Sequence, residues 1–313
     1  MGRILARPLT SGALLLAASL LAASSCATSA HAQTAGEGLS PTLSAIKSAH
    51  TVRLGYRESS PPFSFLDQSG RPIGYSLELC EAIVEEIGVE VDDSNLRIDY
   101  VKVTSDDRID AVLQNKIDLE CGSTTANAER GKRVAFSPLM FVAGTKLMVP
   151  KASTVASVTD LKGKTVVVTK GTTNEQAMHA ADKKFSLGLN IVTSPDHEQS
   201  YQMLADGKAD AFATDDILLF GLIARHKAQD KFRVTGDYLS YDPYGIMFRK
   251  GEPQLAAVVE RAFRKLGSNR DLVPLYNKWF TARLPTGERL NVPISLQLEE
   301  AFKAMDDSAS ANN

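Results

Sequence analysis

Three arginines, Arg57, Arg108 and Arg130, stand where an anion could be gripped. The planar guanidinium binds a carboxylate through two parallel N–H groups, so several of them in one cleft would select a small anionic ligand. Hydroxyl-rich segments surround them: Arg57-Glu58-Ser59-Ser60, Thr104-Ser105-Asp106-Asp107-Arg108, and Gly122-Ser123-Thr124-Thr125 with Arg130 five residues further on. The second half supplies Gly171-Thr172-Thr173-Asn174, Asp196-His197 and Asp215-Asp216. Helix N-termini expected near Ser105 and Thr173 would add backbone N–H groups for an anion. A single aspartate such as Asp215 is what an ammonium group would need in the same cleft. Anion plus cation suggests an amino acid.

Each residue also has a plainer reading. A surface arginine is usually solvated or half of a weak ion pair. Ser123, Thr125, Thr172 and Thr173 have the chemistry of helix caps, and Glu58 or Asp216 that of a cap or an ion-pair partner. His197 alone reads as a structural or surface histidine. Position favours a site, because each cluster directly follows a strand-like run, and open α/β sheets bind ligands beyond the carboxyl ends of their strands.

Those runs are Val52–Tyr56, Ile98–Val103, Ile117–Cys121, Thr165–Thr169, Ile191–Thr193 and Ala211–Thr214. Helical patterns fall between them. Gly74–Ile87 places Leu77, Cys80, Ile83 and Val84 at helix-face spacing, while Ser105–Leu113 and Asn174–Ala181 begin with capping residues followed by acids. Strands alternating with helices predict an α/β protein with largely parallel sheets. Leu113–Asp118 and Leu204–Asp210 both read as helix end, turn and strand start, an echo that suits two related lobes. Phe141–Lys146 is a crossing between the lobes and Ser240–Tyr244 a return, and two crossings make a hinge.

Composition narrows the class. The chain has 313 residues, 43% hydrophobic and 23% charged, as an ordinary globular protein does. Residues 1–32 hold Arg3, Arg7, an apolar stretch from Ala13 to Ala23 and Ala30-His31-Ala32, the pattern of a secretory signal with an A-x-A cleavage site. Cleavage there would leave 281 residues, enough for two modest lobes, with 33 basic against 37 acidic residues. A net charge of −4 argues against nucleic-acid binding. Cys26 could instead be a lipid-attachment site, but Ala23 stands where leucine is expected three positions upstream. In an exported chain Cys80 and Cys121 could form a disulfide or stay as separate buried thiols, and spacing alone leaves both open.

Other chemistries fail on inspection. Gly163-Lys164-Thr165 imitates the end of a phosphate loop, but Val158 stands where its first glycine belongs and a strand follows. The histidines show no metal-ligand spacing, and no Gly-x-Ser-x-Gly elbow appears. No cofactor is expected.

The stretches RESSPPFSF (57–65), GYSLELC (74–80), VTSDDRI (103–109), ECGSTTANAER (120–130), VVVTKGTTNE (166–175), DH (196–197) and ATDD (213–216) closely resemble the periplasmic glutamate/aspartate-binding proteins of bacterial ABC importers. The resemblance runs from about Leu43 to Trp279. It implies a type II periplasmic binding fold, with lobe 1 at 40–141 and 245–313, lobe 2 at 147–239, and hinges at 142–146 and 240–244. It also implies roles. Arg130, helped by Thr125, the Ser123 backbone and the amides near Thr173, would bind the ligand's α-carboxylate. Asp215 and the Ser123 carbonyl would hold the α-ammonium. Arg57, Ser105, Arg108 and His197 would receive the side-chain carboxylate, with Thr172 and Thr173 as second-lobe clamps. The position of Arg57 is the main discriminator, since relatives for neutral or basic ligands often carry a non-basic residue there. The tail, 291–313, falls outside the resemblance and is expected to fray.

The function implied is capture of L-glutamate or L-aspartate by a monomer and delivery to a membrane permease, without catalysis. Two alternatives belong to other classes. The same fold hosts dehydratases acting on small carboxylates, in which His197 or Glu58 would be the general acid/base. A sensor ectodomain would need a tethered output domain, so the sequence favours transport.

Overall fold

The computed structural model describes residues 38–310, with side chains to 306. The leader expected over 1–32, with Cys26, lies outside them. Among the described residues no helix is long and apolar enough to cross a membrane.

The chain builds two α/β lobes joined by two strands. The first pass through lobe 1 comprises α1 (Pro41–Ala49), β1 (Thr51–Tyr56), β2 (Ser59–Ser60), β3 (Ser64–Leu66), β4 (Pro72–Ile73), α2 (Tyr75–Val91), β5 (Arg97–Lys102), α3 (Arg108–Leu113), β6 (Leu119–Glu120) and β7 (Val134–Phe136). β8 (Phe141–Ala143) leads out of it. Lobe 2 holds β9 (Thr145–Pro150), β10 (Thr165–Thr169), α4 (Thr173–Phe185), β11 (Asn190–Ser194), α5 (His197–Ala205), β12 (Ala211–Asp215), α6 (Asp216–Arg225) and β13 (Phe232–Thr235). β14 (Asp242–Tyr244) returns to β15 (Met247–Arg249), α7 (Pro253–Ser268), α8 (Leu272–Phe280) and α9 (Leu296–Ser310).

The two main sheets have orders β5-β1-β6-β15-β7 and β11-β10-β12-β9-β13. In each, the first three strands are parallel and the last two antiparallel to their neighbours. The expectation of largely parallel sheets is thus corrected. A chain that crosses twice enters each sheet from the opposite end, which reverses β9 in one lobe and β15 in the other. β8 and β14 pair antiparallel, Phe141 with Tyr244 and Ala143 with Asp242.

The echo in the sequence is structural. Asp118 accepts from the Arg53 N–H at 2.8 Å and returns its own N–H to the Arg53 carbonyl at 2.9 Å. Asp210 does the same with Thr165, at 2.8 Å in both directions. In each lobe an aspartate entering the third strand therefore pins the start of the first.

Several boundaries move, three of them for a visible reason. Ile117–Cys121 shortens to Leu119–Glu120, because Asp118 is spent on Arg53 and the chain leaves the sheet toward Gly122. α2 runs on to Val91, whose side chain is buried. The helix expected from Ser105 starts at Arg108, since Thr104 and Asp107 bond each other's backbone N–H and hold 105–107 as a turn. The tail does not fray up to Ser310: Leu298 and Phe302, one helical turn apart, are buried in the lobe 1 core, and α9 packs along α7.

Cys80 in α2 and Cys121 after β6 are bonded, with Cα atoms 6.2 Å apart. The bond ties the main helix of lobe 1 to the strand end that carries Ser123 and Thr125. Aromatic residues fill the core beside it, with Phe63, Tyr75, Phe141, Tyr276 and Phe280 in mutual edge and stacked contacts.

Candidate functional site

Each parallel strand delivers one cluster to the cleft between the lobes. Arg57 follows β1, Ser105 and Arg108 follow β5, and Ser123, Thr125 and Arg130 follow β6. Across the cleft, Thr172 and Thr173 follow β10, His197 follows β11, and Asp215 ends β12. Seven of these ten residues share one small cavity. Arg108, Ser123, Thr125, Thr172, Thr173, His197 and Asp215 line a cavity of about 10 Å³, together with Asn174 and Leu218. That is small beside the roughly 300–1,000 Å³ typical of drug-sized ligand sites. Ser105 and Arg130 line an adjoining seam between the lobes, and Arg57 contacts Ser105.

The cationic side is buried and poorly compensated. Arg57 is 1% exposed and donates Nη2 to Ser105 Oγ at 2.6 Å, but its Nη1 has no protein partner. Arg108 Nε and Ser123 Oγ are likewise buried and unpartnered. Arg130 donates Nη1 to the Thr125 carbonyl at 2.9 Å and Nη2 to the Gly171 carbonyl of the opposite lobe at 3.4 Å. Among the described residues none of the three forms an ion pair with a carboxylate. Burial depresses all three, Arg57 to about 10 and Arg130 to about 9, with the Arg108 charge adding to both. Buried donors without acceptors cost free energy unless a ligand supplies the acceptor.

His197 opens α5, and its Nδ1 lies 2.7 Å from Thr169 Oγ1. Burial and the charges of Arg57 and Arg108 hold it well below its ordinary range, so it is neutral at pH 7. Asp215 is pushed up to about 7, first by burial and then by Asp242. It accepts from Asn174 Nδ2 at 2.8 Å and from the Tyr244 hydroxyl. Thr125 Oγ1 donates to Asp242 at 3.1 Å and lies 3.3 Å from Thr173 Oγ1, a contact between the lobes. Thr172 lines the cavity and caps α4, its Oγ1 accepting from the Glu175 N–H at 3.1 Å and donating to the Thr169 carbonyl at 2.7 Å.

Glu58 and Asp216 take the plainer reading. Glu58 pairs with Lys102 at 2.6 Å, and Asp216 accepts from Tyr238 at 2.7 Å. Sequence reasoning missed four residues. Asn174 links Asp215, Thr145 and Thr214; Asp242 and Tyr244 reach the site from the returning strand. Glu120 is fully buried and its negative charge reaches all three arginines, yet its carboxylate accepts from the Thr124 hydroxyl, at 2.6 Å, and leaves Oε1 without a partner. An acid placed within the strand-like run Ile117–Cys121 was the available signal. Among the described residues no group of three or more His, Cys, Asp or Glu side chains is placed to hold a metal.

Residues 52–282 match the family model for bacterial extracellular solute-binding proteins, family 3. The chain is 40% identical over 281 residues to the L-glutamate/L-aspartate-binding protein of Pseudomonas aeruginosa, covering 89% of this chain and 93% of that one. It is 35% identical to the glutamate/aspartate import solute-binding protein of Salmonella typhimurium, at 90% and 93% coverage. Among solved structures, the cysteine-binding protein of Campylobacter jejuni superposes with a TM-score of 0.67 at 27% identity, covering 76% of this chain and 92% of that one.

Proposed function

The chain belongs to the bacterial extracellular solute-binding proteins of family 3, and we propose that it captures L-glutamate and L-aspartate in its cleft and delivers them to the permease of an ABC importer. As a member of that family it is an extracytoplasmic binding protein and not an enzyme; the relatives named above are likewise binding proteins. The observation that carries the ligand class is the set of three buried arginines, of which Arg57 and Arg108 keep buried donors unspent and Arg130 is bonded only to carbonyl oxygens.

In this reading Arg130 binds the α-carboxylate with Thr125, the Ser123 backbone and the amides at Thr173, while Thr172 and Thr173 close from the second lobe. Asp215 and the Ser123 carbonyl take the ammonium. Arg57, Ser105, Arg108 and His197 receive the side-chain carboxylate. A neutral histidine there can donate to a carboxylate without adding a third buried positive charge beside Arg57 and Arg108. We take the lobes as 40–141 with 245–313 and 147–239, flexing about 142–146 and 240–244. The protein works as a monomer in the periplasm, reached through a signal at 1–32, and has no nucleic-acid partner.

Ligand bridging the lobes expels water, and each charge-assisted hydrogen bond strengthens in the drier cleft. Closure then offers the permease a surface made by both lobes, so the loaded form is selected. Isothermal titration calorimetry of the ligand-stripped protein against L-glutamate, L-aspartate, L-glutamine, L-histidine and L-arginine tests this. One-to-one binding confined to the two acidic amino acids is expected. Glutamine binding as tightly as glutamate would remove the assignment of Arg57 and Arg108.

A further inference from the structure

The lobes meet not only around the cavity but along α6. This helix begins at Asp216, directly after Asp215, and its first turn leaves lobe 2: Ile217 and Leu218 are buried in the lobe 1 core with Phe63 and Tyr244. Arg225, at its other end, donates to the Glu58 carbonyl of lobe 1 at 3.3 Å. Between them lies Gly221, four residues after Ile217 and so on the same helical face. A Cβ built on Gly221 would stand 2.2 Å from the Pro61 carbonyl oxygen and 2.9 Å from its carbon. An ordinary carbon–oxygen contact needs about 3.3 Å, so α6 would have to lift by roughly 1 Å. The obstacle is backbone and cannot swing aside.

We propose that Gly221 is a positioning residue for ligand capture: its missing side chain lets α6 seat on Pro61, and that seating brings Asp215 to the ligand. The inference rests on the acidic-amino-acid reading above. Gly221 lies inside a regular helix, where alanine is the better residue, so nothing in lobe 2 alone asks for glycine. With the lobes apart, an alanine methyl would meet no Pro61. A second close approach lies elsewhere on the seam, where a Cβ on Gly171 would stand 2.7 Å from Asp106 Cα. There φ is +75°, and glycine has a conformational reason of its own. Lys170 pairs with Asp106 at 2.9 Å across the same contact, but both are largely exposed and contribute little.

The test compares full-length wild type and Gly221→Ala, both stripped of ligand. The readouts are L-glutamate titration, thermal melting without ligand, small-angle scattering with and without L-glutamate, and hydrogen exchange of segments 58–64 and 216–225. The wild type should compact and gain protection in both segments when loaded. The variant should melt at or above the wild-type temperature without ligand, yet bind roughly 10- to 100-fold more weakly, as loss of one or two hydrogen bonds to charged groups would give. A variant that binds within twofold of wild type and compacts fully overturns the proposal. If the unliganded variant melts lower, the wild-type exchange decides, and absence of new protection at 58–64 and 216–225 overturns it. A wild type that binds neither L-glutamate nor L-aspartate overturns the functional reading and this inference with it.

Discussion

Asp215, the last residue of β12, accepts a hydrogen bond from the hydroxyl of Tyr244, the last residue of the returning strand β14. The carboxylate assigned to the ligand's ammonium is therefore held by the strand on which the lobes turn. Asp242, two residues earlier, adds a second negative charge, and burial does the rest to lift Asp215 to about 7.

Ligand affinity should consequently depend on pH near neutrality. An ammonium beside Asp215 favours the carboxylate, so binding lowers its pKa and expels a proton wherever the unliganded group is protonated. Affinity is then full above pH 7 and falls as pH drops through about 7, by up to roughly tenfold per unit for one proton. His197, already neutral at pH 7, does not offset this in that window. Calorimetry at pH 6 in buffers of different ionisation enthalpy should register proton release; a flat affinity between pH 5.5 and 8 would remove the assignment of Asp215.

Replacing Arg57 by methionine should separate affinity from stability. Its guanidinium is fully buried, pushed down to about 10, and paired with a hydroxyl rather than an acid. Affinity for L-glutamate should fall by roughly 2–5 kcal/mol, as when one partner of a desolvated charge pair is removed. The unliganded melting temperature should stay level or rise, because a desolvated charge is removed with it. A large drop in that temperature would show Arg57 to be structural.

The disulfide should matter for stability more than for recognition. Cys80 and Cys121 close a loop with a sequence separation of 41, for which chain entropy predicts about 4 kcal/mol. In a chain of this size, loss of the bond in a Cys80→Ser, Cys121→Ser variant should lower the melting temperature by roughly 10 °C. L-glutamate affinity at 25 °C should stay within a few-fold. Equal melting temperatures would mean that core packing alone holds α2 to β6.

Much of the site was legible because strand ends are legible. Arg57, His197 and Asp215 each sit where a β-branched or apolar run stops, and the topology of parallel sheets sends all such ends to one edge. The antiparallel strands were not, since nothing local to Met247–Arg249 tells which way a chain returning from another lobe will run. Tyr244 read as hinge because its partner Asp215 is 29 residues away and in the other lobe. α9 carried its signal openly, Leu298 and Phe302 at helical spacing, but lay beyond the stretch where family motifs match.

Asn174 offers the sharpest test among the residues that pattern reasoning passed over. It is buried in the first turn of α4, donates Nδ2 to Thr145 Oγ1 at 2.7 Å and to Asp215 Oδ1 at 2.8 Å, and accepts from Thr214 at 3.2 Å. Asn174→Ala leaves Asp215 with one donor fewer and should weaken L-glutamate by about 1–3 kcal/mol. Asn174→Asp sets two carboxyls within hydrogen-bond distance, where both cannot ionise, and one must keep its proton to higher pH. Its affinity should therefore be lower still at pH 7 and recover only at more alkaline pH than in wild type. A parallel profile displaced only in magnitude would mean that Asn174 shapes the cavity without setting the charge on Asp215, and alanine within twofold of wild type would remove it from the site.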